Sequence, residues 1–134
     1  MAKGKVGLGR RGETLAAEAL QRRGFSIVAQ NWRCREGEAD LIAQRAGEWY
    51  FVEVRTRRGS GYGSPEESLT PRKLARMEAV ARRYLSDQGA DDAPDVAPDA
   101  AWHLSFVAVA LDNAGRLERV TVYLDPESEP WEMM

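Results

Sequence analysis

The chain has 134 residues, 43% hydrophobic and 30% charged, the balance of one soluble globular domain rather than a disordered or fibrous protein. Its single cysteine, Cys34, excludes an internal disulfide and a cysteine-held metal cluster, and no run approaches the roughly 20 apolar residues that span a membrane. The net charge of −2 conceals a basic part (17 Lys+Arg against 10 Asp+Glu over residues 1–85) and an acidic part (2 against 11 over 86–134), a split that fits a polyanion partner and equally fits solvated helix faces rich in arginine.

Lys3 and Lys5 are followed by no apolar run, so no signal peptide is expected and the expected compartment is cytoplasmic. Residues 9–23 are predicted to be helical. Leu15, Ala16, Ala19 and Leu20 share one stripe, and Gly24 is a natural stop. Strands are predicted over 25–34, 38–45 and 48–57, the last two joined by a tight turn at Ala46-Gly47. Residues 58–70 read as a Gly/Ser/Pro-rich loop. Thr70 as N-cap and Pro71 at the first helical position start a helix over 71–88, with Leu74, Met77, Val80, Ala81, Tyr84 and Leu85 on one side. An acidic, Ala/Pro-rich stretch at 89–100 reads as a mobile loop. Strands at 102–111 and 117–124 flank an Asp112-Asn113-Ala114-Gly115 turn, and 125–134 read as a loose tail. The order α-β-β-β-α-β-β predicts a single α/β domain over 1–134, with its core at about 7–124 and a mixed five-stranded sheet flanked by helices.

The chemistry concentrates in the second and third strands. Closing the hairpin at Ala46-Gly47 sets Asp40 across from Glu53 and Glu38 across from Arg55, on the face that also carries Ile42/Phe51 and Gln44/Trp49. The opposite face, Ala39/Val54, Leu41/Val52 and Ala43/Tyr50, is almost wholly apolar. Opposed strand residues have Cβ atoms roughly 4.5–5.5 Å apart. Two carboxylates at that separation repel unless a proton or a cation lies between them. An Asp/Glu pair without His or Cys is a hard oxygen donor set, suited to Mg²⁺ or Mn²⁺ rather than zinc. Such an ion activates water and offsets charge on a phosphodiester. Arg55 is then placed to contact the phosphate. The same residues also fit a plain Glu38–Arg55 cross-strand salt bridge, with Asp40 and Glu53 facing solvent. Glu13 shares a helix face with Ala16 and Leu20 and is a third acidic candidate; a Glu in a first turn equally serves the helix dipole.

The runs Gly12-Glu13, Gly24-Phe25, Asn31-Trp32-Arg33, Gly37-Glu38-Ala39-Asp40-Leu41-Ile42, Phe51-Val52-Glu53-Val54-Arg55, Gly63-Ser64-Pro65 and Thr70-Pro71-Arg72-Lys73 together resemble the bacterial YraN-like family. That family is similar to archaeal Holliday junction resolvases and to the restriction-endonuclease-like superfamily with its PD-(D/E)XK motif. The resemblance covers roughly residues 7–124. It implies a restriction-endonuclease-like fold and Mg²⁺- or Mn²⁺-dependent hydrolysis of structured or branched DNA. Asp40 and Glu53 would match the metal ligands and Glu13 the acidic residue of the first helix. Arg55 stands where the motif has lysine. Arginine keeps the charge but does not readily release a proton, so the resemblance leaves either an impaired site or Lys73 as substitute. Ser105, in His103-Leu104-Ser105-Phe106, stands where relatives tend to carry Asp. These two departures define the alternative, a nucleic-acid-binding module without turnover.

Arg57, Arg58, Arg72, Lys73 and Arg76, with the glycine-rich loop at 59–63, form a candidate phosphate-tracking surface, or else an ordinary exposed loop and helix face. DNA is the expected partner, with a homodimer favoured if the substrate needs two related cuts. Trp32, Trp49 and Trp102 are expected in the core. Trp131 is expected at an interface, and His103 in a structural role.

Overall fold

The computed structural model describes residues 2–59, 69–90 and 100–133. The elements run α1 (Ala2–Arg22), β1 (Ser26–Cys34), β2 (Gly37–Arg45), β3 (Glu48–Arg58), α2 (Pro71–Ala90), β4 (Trp102–Leu111), β5 (Leu117–Tyr123) and β6 (Trp131–Met133). The first helix starts seven residues earlier than expected. Gly4, Gly7 and Gly9 weaken its helical signal, but each costs only about 1 kcal/mol against alanine, and no proline stops the helix. At its other end Gly24 adopts φ +88, and Phe25 N–H donates to the Leu20 carbonyl. Thr70 caps α2 as expected: its Oγ1 accepts from Lys73 N–H at 3.1 Å, and its carbonyl from Leu74 N–H at 3.0 Å. The loop at 60–68 and most of the acidic stretch, 91–99, lie outside the described residues.

The strands form one mixed sheet in sequential order. Neighbours are antiparallel except β3 and β4, which run parallel and are joined through α2. A parallel pair needs such a crossover. The sheet has six strands, not five. The sixth comes from the segment expected to be a loose tail: Trp131 pairs with Val122, and Met133 with Val120. Three residues are too short to carry a periodicity, so only the open edge of β5 reveals their place. Trp131, partly buried, packs within this chain. Its ring lies 6.0 Å from that of Phe25, with the Arg23 guanidinium 4.7 Å above it.

Each helix covers one face of the sheet. On the α1 side Ala16 and Leu20 pack with Leu41, Val52, Val107 and Val109. On the α2 side Val80, Ala81 and Tyr84 pack with Ile42, Trp49 and Phe51. Burying such side chains stabilises by roughly 1.5–3 kcal/mol each. Tyr84 gathers Trp32, Trp49 and Phe51 around its ring at 5.1, 5.6 and 5.8 Å, and Trp102 lies 6.3 Å from Phe51. Of the three tryptophans expected in the core, Trp49 is buried in it, and Trp32 and Trp102 are partly buried against it. Ala39 departs from the expected faces. Strict alternation puts it with Leu41 and Ala43, yet it packs on the α2 side. The alternation of β2 therefore breaks between Ala39 and Leu41, at Asp40.

Candidate metal and phosphodiester site

The hairpin turn is as tight as its sequence suggests, with φ +53 at Ala46 and +79 at Gly47, the pair of positive angles a type I′ turn requires. Pairing then follows the expected register from Arg45↔Glu48 to Leu41↔Val52 and stops there. Asp40 and Glu53 are not ladder partners, nor are Glu38 and Arg55, which corrects the regular pairing extrapolated from the turn. The physical reason is a substitution of acceptors. Val54 N–H donates to Asp40 Oδ2 at 2.8 Å, so a side chain takes the place of a ladder carbonyl. β1 and β2 stay paired to Cys34↔Gly37, while β3 stays paired with β4 to Arg58↔Leu111. The sheet thus forks, with the β1–β2 tip on one side and β3 on the other.

A cavity of about 520 Å³ opens in this fork. Asp40, Glu38 and Arg33 line it from the β1–β2 tip, Glu53 and Arg55 from β3, and Lys73 and Arg76 from α2. Glu53 is 6% exposed at its floor. Lys73 Nζ lies 3.1 Å and Arg55 Nη2 3.2 Å from its Oε1. Two cations on one buried carboxylate oxygen repay the desolvation a lone charge would suffer. Asp40 has no cation of its own among the described residues. Burial, then the Glu53 charge, push its carboxyl up to about 7 against the opposing Val54 hydrogen bond, with Glu13 and Glu38 adding to the rise.

Glu13 is half-buried on α1 and affects Asp40 through its charge alone. Its neighbour Gly12 sets that position: a Cβ there would lie 1.7 Å from Thr56 Oγ1, so α1 rests directly on β3. Glu38 pairs with Arg33 at 3.1 Å, not with Arg55. Arg33 lines the rim and was not singled out as a candidate from the sequence; its β1↔β2 register partner is Glu38, a pairing that needed the antiparallel register to be known. Glu36, beside it, pairs with Arg83 at 3.0 Å and ties the tip to α2.

Among the candidate phosphate contacts, Lys73 and Arg76 line the cavity and Arg72 is exposed on the first turn of α2. Arg57 sits on β3, half-buried. Arg58 is committed elsewhere: its Nε and Nη2 donate to the Asn113 carbonyl at 3.1 and 2.8 Å. Ser105 does not face the acidic pair. It is 2% exposed, and its hydroxyl donates to the Leu124 carbonyl at 2.8 Å, a tie between β4 and the end of β5. His103 is structural too. It bridges Glu48 at 2.7 Å and Asp125 at 2.8 Å and stacks on Tyr50. Those two bonds outweigh the desolvation that opposes them and raise the imidazole above its ordinary value.

No group of three or more His, Cys, Asp or Glu able to hold a metal occurs among the described residues. The donor set is a pair, Asp40 and Glu53. It fits a hydrated Mg²⁺ or Mn²⁺, which keeps several waters and takes one or two carboxylates. Burial and, after it, the Glu53 charge lift Asp40, and a cation between the two carboxylates would offset both.

Residues 12–119 match the model of an uncharacterised protein family, UPF0102. Similar proteins, each named only as a UPF0102 protein, occur in Herpetosiphon aurantiacus (45% identical, covering 84% of this chain and 89% of the relative), Roseiflexus castenholzii (44%, covering 78% and 79%) and Acidothermus cellulolyticus (48%, covering 66% and 67%).

Proposed function

This chain belongs to the UPF0102 family, the YraN-like family its motifs resemble, and on that premise we propose that it is a metal-dependent endonuclease acting on structured or branched DNA. The observation that carries the reading is the fork. It holds two carboxylates in a cavity whose lining also carries Arg33, Arg55, Lys73 and Arg76, with Glu38 the one further acid among the described residues. Asp40 and Glu53 would hold a Mg²⁺ or Mn²⁺ ion, which when bound supplies an activated water and offsets phosphodiester charge. Val54 N–H fixes the Asp40 carboxylate relative to β3. Lys73 and Arg55 both pair with Glu53 at the floor. Glu13 contributes negative potential from α1. The exposed Arg55 guanidinium lies where a phosphate entering the cavity meets it, and its planar fork suits phosphate oxygens. A junction-like substrate calls for two related cuts and hence a homodimer. The described residues contain no helix long and apolar enough to cross a membrane, and a cytoplasmic location is part of this reading because that is where its DNA substrate would lie.

Cleavage of four-way junctions, flaps and plain duplex in Mg²⁺ or Mn²⁺ tests this. Asp40→Asn is expected to abolish cleavage at least 100-fold while leaving the circular dichroism spectrum unchanged. Equal turnover by wild type and variant removes the proposal. One observation favours a second reading: Arg55 at the lysine position of the motif. A binding module without turnover would bind the same DNA yet leave it intact with every divalent metal, and Arg55→Lys would then confer cleavage.

A further inference from the structure

Arg76 sits one turn beyond Lys73 on α2 and lines the same cavity. Its stem lies across the start of β2 at Gly37. A Cβ at Gly37 would come within 3.3 Å of Arg76 Cγ and Cδ and of Val80 Cγ2, and Gly37 has φ +152, an angle that side chains rarely adopt. Glycine at 37 therefore gives the arginine its track, and the packed stem has already lost part of its rotamer freedom. The charged head has no hydrogen-bond or ion-pair partner among the described residues. By contrast Arg33, Arg55, Lys73, Arg82 and Arg83 are each paired with a carboxylate. A guanidinium whose stem packs at Gly37, unpaired among the described residues, on a residue that lines the cavity is placed to take an anion.

The cavity indicates which anion. At about 520 Å³ it is far larger than the roughly 30 Å³ share of one water, enough for a length of backbone rather than a lone ion. None of the described residues that line it is aromatic, so they offer bases no stacking platform. Across the opening, Glu38 holds Arg33 at 3.1 Å.

We propose that Arg76 grips a backbone phosphate of the nucleic acid, next to the one lying over Asp40 and Glu53, while Arg33 meets the same strand from the opposite wall. The grip reads sugar-phosphate and not bases. It rests on the nuclease reading only for what lies over the two carboxylates.

The test measures binding of the whole protein to a fluorescent four-way junction, in EDTA at pH 7 over a range of NaCl concentrations. Arg76→Ala is expected to weaken binding about tenfold for any junction sequence, and to lower the slope of log K against log salt by about 1. Its melting temperature is expected to stay that of the wild type. Arg82→Ala, which removes a guanidinium paired with Glu78 on the same helix, is expected to change affinity less than twofold. Gly37→Ala alters no charge and is expected to lose part of the same affinity by displacing the stem; if it does not fold, Arg76→Ala alone decides. Unchanged affinity in Arg76→Ala, equal losses in Arg76→Ala and Arg82→Ala, or no junction binding by the wild type overturns the grip. Adding Mn²⁺ separates the two ideas. Cleavage with Arg76-independent binding overturns the grip and keeps the nuclease. Arg76-dependent binding without cleavage does the reverse.

Discussion

Asp40 carries an electrostatic cost of folding in one side chain. Its folded carboxyl titrates at about 7, whereas an unfolded Asp titrates near 3.9. Between those values the folded protein holds more protons than the unfolded chain, so stability falls as pH rises through that window. Below it Asp40 is neutral in both states and costs little. Asp40→Asn removes the charge and keeps a side-chain oxygen to accept the Val54 N–H. In EDTA the variant is therefore expected to match wild type near pH 4 and to exceed it by about 1–3 kcal/mol at pH 8, a range reduced for partial exposure. Urea denaturation at both pH values measures this. A constant difference would show that Asp40 carries no such penalty. Mn²⁺ should stabilise the wild type at pH 8 but not the variant.

Among the elements, α1 is placed by one close approach. Gly12 touches Thr56 so tightly that an added Cβ would lie 1.7 Å from its Oγ1 and 2.9 Å from its Cβ. Gly12→Ala should push the helix off β3 and cost about 1–3 kcal/mol by overpacking, read from the urea midpoint. Adding Thr56→Ala should recover part of the loss, because the nearest atom is then gone; strictly additive losses would place the clash elsewhere. The helix itself was legible in the Leu15, Ala16, Ala19, Leu20 stripe. Its contact was not, since a glycine in a helix looks like weakness until the facing strand is known. The hairpin divides the same way. Its turn and five opposed pairs follow from Ala46-Gly47 and from alternation. The break at Asp40 does not, because a carboxylate replacing a carbonyl acceptor is a matter of three-dimensional competition for one N–H.

At the scale of the whole molecule, the sheet is finished by its C-terminal segment. β6 covers the edge of β5 at Val120 and Val122, both buried, and Trp131 lies among Arg23 and Phe25, between α1 and β1, and Arg45, at the end of β2. Open edges of this kind invite pairing between molecules. Trp131→Ala is expected to lower stability by about 1–3 kcal/mol, and deletion of residues 127–134 to promote aggregation under light scattering. A truncated protein as stable and monodisperse as the full chain would show β6 to be dispensable. His103 adds a second tie, joining the start of β4 to Glu48 on β3 and to Asp125 beyond β5.

Local chemistry in the sequence was enough to determine that both helices exist, the central strands, the Thr70 cap, the hairpin turn with its first five opposed pairs, and the concentration of acids at Asp40 and Glu53. Those features depend on neighbours a few residues away, where periodicity and turn geometry act directly. The tertiary structure alone decided that the sheet forks at Asp40, that Glu38 serves Arg33 rather than Arg55, that Lys73 reaches Glu53 from α2, and that residues 131–133 close the edge. Each of these depends on which distant group wins a hydrogen bond, an ion pair or a strand edge, and that competition exists only once the chain is folded.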